Sequence, residues 1–575
     1  MKRLMLGNEG IARGAYEAGV AVATAYPGTP STEITEFIAE FDEIYTEWSP
    51  NEKVALEVAI GASLAGGRAI VSMKHVGLNV AADPLFTVAY TGVNGGLVII
   101  VADDPGMHSS QNEQDSRYYA RASHVPMLEP SDSQESKEFI KQAFELSEEY
   151  DTPILVRLTT RISHSQGIVQ LEQPKSIEIK DYTKQVQKNV MMPAMAKARH
   201  IVVEKRMDKI EKDSSRFSIN KIEKGDETIG IIASGIVYQY AKEAIPEASF
   251  LKLGMVHPLP KDLILDFASQ VDKLYILEEL EPIIEEQVKS WGVEVTGKQL
   301  FSVQGEYTAN MIENAIKGTK RDIRLAETMP NRPPVMCPGC PHRAVFFNLK
   351  RLGLHATGDI GCYTLGALSP LDAIDTCICM GASIGMAHGF EKVRGKDFSK
   401  KLVAVIGDST FIHSGIAGLI DVVYNKGVST VLILDNSTTG MTGHQDNPST
   451  GRTIKGDIAP VLDLVGLVKA IGIKNVRVLD PFDLKLSRDA LKEETQREEP
   501  SVIIFKRPCV LLEKGDSSAL EILPHECTRC GLCLGLGCPA IQKQDDRIII
   551  DDSLCNGCGL CLEVCHFNAI RRFEV

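Results

Sequence analysis

The first part of the chain alternates short apolar runs with longer stretches of helical periodicity. The runs GVAVATAYPGT, GGLVIIVADDPG and TPILVRLTT predict strands, and residues 51–66 predict a helix rich in alanine and glycine. Strands that alternate with helices are typical of a parallel sheet covered by helices. We therefore expect a parallel α/β domain over residues 1–180.

The alternation resumes further along the chain. TIGIIASG and KLYILEEL predict strands of a second, smaller α/β domain, and LVAVIGDS, TVLILDNS and SVIIFKRP predict those of a third. The proline-rich MPNRPPVMCPGCP opens the third domain, because consecutive prolines resist both helix and central strand. The expected segments are a charged connector with some helix at 181–226, the second domain at 227–325, the third at 330–515 and a short tail at 518–575.

Composition and charge narrow the class of protein. Of 575 residues, 44% are hydrophobic and 24% charged, which is ordinary for a globular protein. The formal net charge of −14 argues against a nucleic-acid partner. The amino terminus MKRLMLGNEG lacks the apolar core of a signal peptide, and no apolar run is long enough to span a membrane. We expect a cytoplasmic protein with no membrane partner.

The cysteines change this picture. All 14 lie at or after Cys337, and eight of them fall between Cys527 and Cys565. Disulfides would staple the whole of a secreted chain, so clustering in a cytoplasmic protein points to metal.

The tail contains two similar cysteine runs, CTRCGLCLGLGCP and CNGCGLCLEVCHF. Three thiolates spaced two residues apart can surround one face of an iron–sulfur cubane, and the fourth ligand then comes from the other run. A pair of zinc knuckles is the alternative, but zinc does not need this double crossover. The expected ligand sets for two [4Fe–4S] clusters are Cys527, Cys530, Cys533 with Cys565, and Cys555, Cys558, Cys561 with Cys538.

The tail resembles a bacterial-type two-cluster ferredoxin. It departs from that pattern in having four residues rather than three before Cys538, and in having His566 where proline often follows the last cysteine. Neither departure changes the number of ligands.

In the third domain, two polar residues follow predicted strands: Asp408 in VIGDST and Asn436 in LILDNSTTG. Open parallel sheets bind ligands at the carboxyl ends of their strands. A carboxylate, an amide oxygen and a backbone carbonyl suit a Mg²⁺ ion that holds a diphosphate. Taken alone, Asp408 is more commonly the cap of a helix, and its pairing with Asn436 reverses that balance in favour of the metal.

The pair resembles the thiamine diphosphate motif, Gly-Asp-Gly followed by Asn. Here Ser409 replaces the last glycine, and Gly407 permits the tight turn. The resemblance implies that Asp408 and Asn436 bind Mg²⁺ through their side chains and Thr438 through its carbonyl. It adds Gly361, in GDIGC, to the cofactor-binding residues.

The same domain resembles the cofactor domain of 2-oxoacid:ferredoxin oxidoreductases, in which four cysteines hold a cluster near the thiamine. Structural cysteines, a zinc site or a simple turn are the alternatives, and Cys377 and Cys379 look like buried helix residues of the structural kind. The resemblance implies a possible third [4Fe–4S] cluster on Cys337, Cys340, Cys362 and Cys509.

In the first domain, thiamine chemistry requires a carboxyl group that hydrogen-bonds the aminopyrimidine ring. Glu52 opens the predicted helix NEKVALEVAIGASLAGGRA, and Glu57 competes with it from mid-helix. The spacing E…G-A-S in the family favours Glu52, and a surface glutamate at a helix start is the plain alternative.

Residues for the substrate are expected nearby. AYPGTPSTEI resembles the family segment whose threonine contacts the 2-oxoacid carboxylate, which corresponds to Thr29, although a helix-capping hydroxyl would explain it as well. Lys74 and His75 lie between apolar stretches, where they could bind a carboxylate or relay a proton, or His75 could be a core residue.

The domain order resembles the large subunits of the indolepyruvate ferredoxin oxidoreductases. The resemblance implies a pyrimidine-binding domain at 1–180, a transketolase-C-like domain at 227–325, a diphosphate-binding domain at 330–515 and a two-cluster ferredoxin domain at 518–575. It implies oxidative decarboxylation of aryl pyruvates with coenzyme A, ferredoxin as acceptor, and a small subunit in an α₂β₂ complex.

Three functions remain open from the sequence. The first is this oxidoreductase, acting on aryl pyruvates or on another 2-oxoacid. The second is a non-oxidative thiamine diphosphate decarboxylase with a structural ferredoxin tail. The third is an electron-transfer scaffold that binds no thiamine.

Overall fold

The computed structural model describes residues 1–319, 333–512 and 518–572. The predicted domain boundaries at 325, 330, 515 and 575 lie outside these ranges. The chain forms two compact units, Met1–Leu325 and Ala326–Val575. Across the described ranges, no helix is both long and apolar enough to cross a bilayer.

The first unit is α/β. Its strands are β1 (Lys2–Leu6), β2 (Val22–Ala25), β3 (Tyr45–Trp48), β4 (Ala69–Lys74), β5 (Leu97–Asp103), β6 (Met127–Leu128), β7 (Ile154–Thr159), β8 (Gln166–Gln170), β9 (Lys221–Glu223), β10 (Asp226–Ser234), β11 (Ala248–Leu253), β12 (Met255–His257) and β13 (Leu274–Leu277). Its helices are α1 (Gly7–Glu17), α2 (Thr32–Ala39), α3 (Glu52–Leu64), α4 (His75–Val80), α5 (Ala82–Thr91), α6 (Arg117–Ser123), α7 (Ser133–Tyr150), α8 (Thr160–His164), α9 (Val186–Asn189), α10 (Pro193–Ser214), α11 (Gly235–Ala244), α12 (Lys261–Ala268), α13 (Ile283–Ser290) and α14 (Ala309–Lys317).

A seven-stranded sheet in the order β12-β6-β7-β5-β4-β2-β3 dominates this unit. Every pairing in it is parallel except that of β12 with β6. All residues of β4, β5 and β7 are buried, as expected for central strands covered by helices on both faces. The expected parallel α/β class is confirmed.

Two features of the first unit go beyond the sequence pattern. The edge strand β12 comes from within the segment expected to form the second domain, so residues far apart in sequence complete one sheet. The charged connector contains the 22-residue helix α10, which begins with Pro193 and buries Val203 and Ile210. Proline at the first turn is compatible with a helix because its missing N–H would have no partner there.

The second unit carries the third α/β domain and the tail. Its strands are β14 (His355–Thr357), β15 (Leu402–Gly407), β16 (Thr430–Asp435), β17 (Asn475–Leu479), β18 (Ser501–Lys506), β19 (Leu520–Ile522), β20 (Ile541–Gln544), β21 (Arg547–Ile550) and β22 (Ile570–Arg572). Its helices are α15 (His342–Leu352), α16 (Ala382–Arg394), α17 (Lys396–Ser399), α18 (Asp408–Thr410), α19 (Ile416–Tyr424), α20 (Leu464–Ile471) and α21 (Leu484–Glu494).

A five-stranded parallel sheet in the order β14-β15-β16-β18-β17 forms the centre of this unit. Strands β15 and β16 are buried along their whole length. In their register Gly407 lies opposite Leu434, so the residues that follow both strands emerge at the same edge. The tail adds the antiparallel pairs β19-β22 and β20-β21.

Candidate active site

Three oxygen-bearing groups converge at the carboxyl ends of β15 and β16. The carboxamide oxygen of Asn436 lies 3.0 Å from the carbonyl oxygen of Thr438 and 3.2 Å from Oδ1 of Asp408. Between them, Ser437 adopts a left-handed backbone with φ of 58°, which turns the chain. An amide oxygen that faces only acceptors needs either a rotated amide or a cation, and these three groups are hard ligands suited to Mg²⁺.

The charge of Asp408 has the same implication. Burial and the neighbouring Asp435 raise the pKa of Asp408 to about 7, against hydrogen bonds from Ser409 and Ser449 that favour the ionised form. The Ser449 hydroxyl donates to Oδ2 at 3.2 Å. Within the described ranges no basic side chain pairs with Asp408, so its ionised form lacks a compensating cation from the protein.

The structure places Gly407, not Asp408, at the N-cap position of α18. The carboxylate of Asp408 accepts a hydrogen bond from the backbone N–H of Ser409 in the first turn of this helix. A π-helical turn, Phe411–Gly415, connects α18 to α19. Single π-turns within helices are frequent at functional sites. The Ser409 hydroxyl accepts a hydrogen bond from Thr439 at 3.1 Å, which ties the start of this helix to the loop after β16.

Gly361 and Gly407 both lie against the Tyr363 ring. A Cβ atom on Gly361 would lie 2.4 Å from Cε1 of Tyr363, and one on Gly407 would lie 2.7 Å from it. The Tyr363 hydroxyl donates to the Ile360 carbonyl at 2.9 Å. Both glycines therefore make room for a ring that supports the end of β15.

Four cysteines outside the tail lie beside this oxygen cluster. Burial, with a smaller contribution from nearby Cys337, raises the pKa of Cys340 to about 12 and the pKa of Cys362 to about 11. The backbone N–H of Cys509 donates to the Asn436 carbonyl at 2.9 Å. We call Cys337, Cys340, Cys362 and Cys509 the inner cysteine set.

The expectation for Cys377 and Cys379 was wrong. Both lie in an irregular segment before α16, where Cys377 is half-buried and Cys379 exposed. The segment carries an isolated bridge at Thr376 instead of a helix, because it runs alongside β14. Cys377 and Cys379 therefore give no example of buried helical cysteines that would account for the inner cysteine set.

The tail cysteines line two cavities. One cavity is lined by Cys527, Cys530, Cys533 and Cys565. The other is lined by Cys538, Cys555, Cys558 and Cys561. Within the described ranges, no three His, Cys, Asp or Glu side chains converge as for a single metal ion. Four thiols around a cavity suit a cubane better than one zinc ion.

In the first unit, the two competing glutamates differ sharply. Glu52 begins α3 and is 4% exposed, and a Cβ atom on Gly77 would lie 2.6 Å from its Oε1. Its carboxylate therefore packs closely against helix α4. Glu57 is exposed and forms an ion pair with Lys53 one turn away.

Thr29 and Lys74 meet through Ser109. Lys74 Nζ donates to the Ser109 carbonyl at 2.7 Å, and the Ser109 hydroxyl donates to the Thr29 carbonyl at 3.4 Å. Burial lowers the pKa of Lys74 to about 8, opposed by the charge of Asp104. Thr29 is not the helix cap, since Ser31 occupies the N-cap position of α2.

His75 begins α4 directly after β4 and is 1% exposed. Within the described residues neither of its ring nitrogens has a hydrogen-bond partner of good geometry, although the backbone of Ala102 acts on the ring. Burial lowers the pKa of His75, which keeps the ring neutral near pH 7. A buried imidazole whose ring nitrogens lack good hydrogen bonds costs free energy in a purely structural role.

Comparison with known proteins agrees with this geometry. A thiamine pyrophosphate enzyme C-terminal TPP-binding domain matches residues 359–505, a thiamine diphosphate-binding domain of pyruvate flavodoxin/ferredoxin oxidoreductases matches 13–227, and a 4Fe-4S binding domain matches 548–571. The indolepyruvate oxidoreductase subunit IorA of Archaeoglobus fulgidus is 42% identical over 611 residues, covering 99% of this chain and 97% of that one. Its namesake from Pyrococcus horikoshii is 40% identical over 629 residues, with 99% and 97% covered.

The chain belongs to the IorA family. The 2-oxoglutarate synthase subunit KorA of Archaeoglobus fulgidus is a more distant relative, 23% identical over 309 residues, which cover 48% of this chain and 87% of that one. The chain is therefore an oxidoreductase that acts on 2-oxoacids with ferredoxin and uses thiamine diphosphate and iron–sulfur chemistry.

Two residues around the site, the buried Asp359 and the partly buried Ser449, were missed from the sequence. The carboxylate of Asp359 accepts hydrogen bonds from the backbone N–H of Gly381 at 2.8 Å and of Ser383 at 3.1 Å, which fixes the start of α16. Ser449 contacts Asp408 from a loop 41 residues away. The GD of GDIGC was a signal for Asp359, but nothing local indicates Ser449.

Proposed function

We propose that this chain catalyses the oxidative decarboxylation of aryl pyruvates such as indole-3-pyruvate and phenylpyruvate. Coenzyme A and oxidised ferredoxin would be consumed, and aryl-acetyl-CoA, CO₂ and reduced ferredoxin formed. The observation that carries the proposal is the oxygen cluster of Asp408, Asn436 and Thr438 beside the inner cysteine set. The substrate class is supported by the name of the relatives, indolepyruvate oxidoreductase.

The cofactors are assigned to residues by their chemistry. Asp408, Asn436 and the Thr438 carbonyl would hold Mg²⁺, with Gly361, Gly407 and Ser409 beside the diphosphate. Bound thiamine diphosphate supplies a carbon nucleophile and an electron sink for loss of CO₂. Glu52 would hold the proton that it exchanges with the aminopyrimidine ring of thiamine diphosphate.

Substrate binding is assigned to the first unit. The Lys74 ammonium, buried beside Thr29 and Ser109, would bind the 2-oxoacid carboxylate. Neutral His75, next to it in sequence, would use a ring nitrogen to orient the substrate or relay a proton.

Three [4Fe–4S] clusters are proposed, one on the inner set and two on the tail sets given above. Coenzyme A and ferredoxin complete the reaction. A small subunit in an α₂β₂ complex is supported by the relatives being named as subunits. We assign the chain to the cytoplasm, where thiols that bind clusters stay reduced.

The domain limits 1–180, 181–226, 227–325, 330–515 and 518–575 are proposed on the resemblance to the domain order of the indolepyruvate ferredoxin oxidoreductases.

The test is anaerobic co-expression with a small subunit, followed by viologen reduction with indolepyruvate, phenylpyruvate and pyruvate, each with coenzyme A. Aryl pyruvates should give the highest kcat/KM. Release of CO₂ without viologen reduction would instead support a non-oxidative decarboxylase.

Glu52 and Glu57 provide a matched pair on one helix. Glu52→Gln should lower kcat by about 10²–10⁴-fold, because a positioned proton-transfer group contributes this much. Glu57→Gln should stay near wild type, since its carboxylate is exposed. Equal effects of the two substitutions would contradict the assignment.

A further inference from the structure

Arg343, near the start of α15, joins two cysteine-bearing loops of the second unit. Its Nε donates to the Cys337 carbonyl at 3.2 Å, and its Nη2 donates to the Met336 carbonyl. On the other side, Nη1 donates to the Leu536 carbonyl at 3.1 Å and to the Gly537 carbonyl. One guanidinium thus binds the loop before Cys340 and the loop before Cys538.

The charge of Arg343 is buried without a carboxylate. Arg343 is 2% exposed, and in the described parts of the chain it forms no ion pair with Asp or Glu. The acidic groups that act on it are thiols of two sets: Cys337 and Cys340 on one side, Cys538 and Cys558 on the other. A buried cation is costly unless negative charge lies nearby, and ligated thiolates of iron–sulfur clusters provide it.

The unusual spacing before Cys538 lies at this contact. Four residues separate Cys533 from Cys538, and the last two, Leu536 and Gly537, both direct their carbonyls to Arg343. Gly537 has a φ of +65°, and a Cβ atom there would lie 3.3 Å from Nη1 of Arg343. The additional residue thus falls in the turn that holds the guanidinium.

A second contact joins the same regions. The side-chain amide of Asn556 donates to the Pro338 carbonyl at 3.1 Å. Pro338 lies between Cys337 and Cys340, and Asn556 lies between Cys555 and Cys558. The loops of the inner set and of the set Cys538, Cys555, Cys558 and Cys561 are therefore packed directly against each other.

We propose that Arg343 is a positioning residue for electron transfer, whose buried charge lies between the inner cluster and the cluster on Cys538, Cys555, Cys558 and Cys561 and favours the reduced form of both. The inference rests on the cluster assignments of the proposed function. A cluster held by the inner cysteine set would give up one electron, and a cluster held by Cys538, Cys555, Cys558 and Cys561 would accept it. No bond or proton changes.

The test is a dithionite-poised redox titration of the anaerobic holoenzyme, monitored by EPR, with iron counted per chain. For Arg343→Gln, the equilibrium constant for reduction of both clusters should fall at least tenfold, or about 59 mV for a one-electron couple. The cluster on Cys527, Cys530, Cys533 and Cys565 is the internal reference. Arg343 bonds the carbonyl of Leu536, three residues after Cys533, but the thiols that act on it belong to the other two sets. The potential of the reference cluster should therefore shift less than the other two. Arg351→Gln, an exposed position on the same helix, should change none of the three.

Arg343→Lys keeps the charge and decides the case if Arg343→Gln fails to assemble its clusters. In Arg343→Lys the equilibrium constant for reduction of both clusters should change less than threefold. A tenfold fall in that constant would overturn a role for the charge. Unchanged potentials in an iron-replete Arg343→Gln would overturn it as well, and so would eight irons rather than twelve in the wild type. Because dithionite replaces the substrate, these outcomes are separate from a failure of 2-oxoacid oxidation.

Discussion

At the scale of single residues, Asp408 shows how burial and ligand chemistry are linked. The side chain lies at the end of a fully buried strand, next to the acidic Asp435 and without a basic partner in the described ranges. Such a carboxylate is unfavourable in the metal-free protein and favourable once a divalent cation binds. Its environment therefore lowers the stability of the metal-free chain and raises the affinity for Mg²⁺ and a diphosphate.

We expect Asp408→Asn to stabilise the metal-free protein above pH 7 and to abolish cofactor binding. With a pKa of about 7, folded Asp408 stays protonated at pH values where the unfolded carboxyl, near 3.8, is ionised. Stability of the wild type should therefore decline as the pH rises from about 4 to 7, by up to roughly 4 kcal/mol at 1.36 kcal/mol per unit. Denaturant unfolding at pH 5 and pH 8 measures this difference.

The exposed Asp421 on α19 provides the control. Asp421→Asn should leave both the pH dependence and the Mg²⁺-dependent binding of thiamine diphosphate as in the wild type. In the wild type that binding should weaken below pH 7, because the metal needs the ionised carboxylate. Retained calorimetric binding in Asp408→Asn would refute the site.

At the scale of elements, the loop Cys337–Cys340 owes its position to close backbone packing. Gly339 has a φ of +77°, and a Cβ atom there would lie 2.2 Å from Nδ2 of Asn556. Any side chain would push the loop away from the Asn556 amide and from the tail. The inner cysteine set therefore depends on a contact that its own spacing does not reveal.

Gly339→Ala should release this contact and lower the iron content by about one cluster. Gly353→Ala is the matched control, because Gly353 is also left-handed, with a φ of +62°, but nothing lies within 4 Å of an added Cβ. The control should lose only about 1–2 kcal/mol of stability for the backbone conformation and keep its iron. Iron analysis and thermal unfolding distinguish the two, and equal iron contents would count against the packing argument.

At the scale of the whole molecule, the tail is not an independent appendage. One hydrophobic core contains Phe346 and Val405 of the α/β domain together with Leu520, Leu536 and Ile570 of the tail. Buried thiols such as Cys533 and Cys561 belong to the same core. Clusters held there are expected to contribute to folding of the second unit as well as to electron transfer.

Removal of iron should therefore destabilise the second unit selectively. Calorimetry of holo and chelator-treated protein should show one transition lowered by about 10 °C or more, because bound metal adds its binding free energy to folding. The transition of the first unit, which contains no cysteine, should be unchanged. A uniform shift of both transitions would contradict this division.

Much of the architecture was predictable because it depends on local pattern. Buried strands such as β5 and β15 appear as apolar runs, and the Asp408–Asn436 pair follows two of them at the sheet edge where parallel folds bind ligands. The tail sets were predicted from spacing, because a two-cluster ferredoxin takes three close thiolates and one distant one for each cluster. The two sets line two separate cavities, and their role as cluster ligands stays a prediction. The expectation that Cys377 and Cys379 are buried helix residues failed, because their segment pairs with β14 through Thr376 and α16 begins only at Ala382.

The sequence by itself determined the α/β class, the ferredoxin-like tail and the identity of the candidate ligands, because apolar periodicity and cysteine spacing are properties of short segments. Only the tertiary structure decided which groups meet: β12 at the edge of a distant sheet, Ser449 on Asp408, and Arg343 between two cysteine sets. These contacts join residues tens to hundreds of positions apart. Their partners are chosen by the packing of the whole core, which no local pattern records.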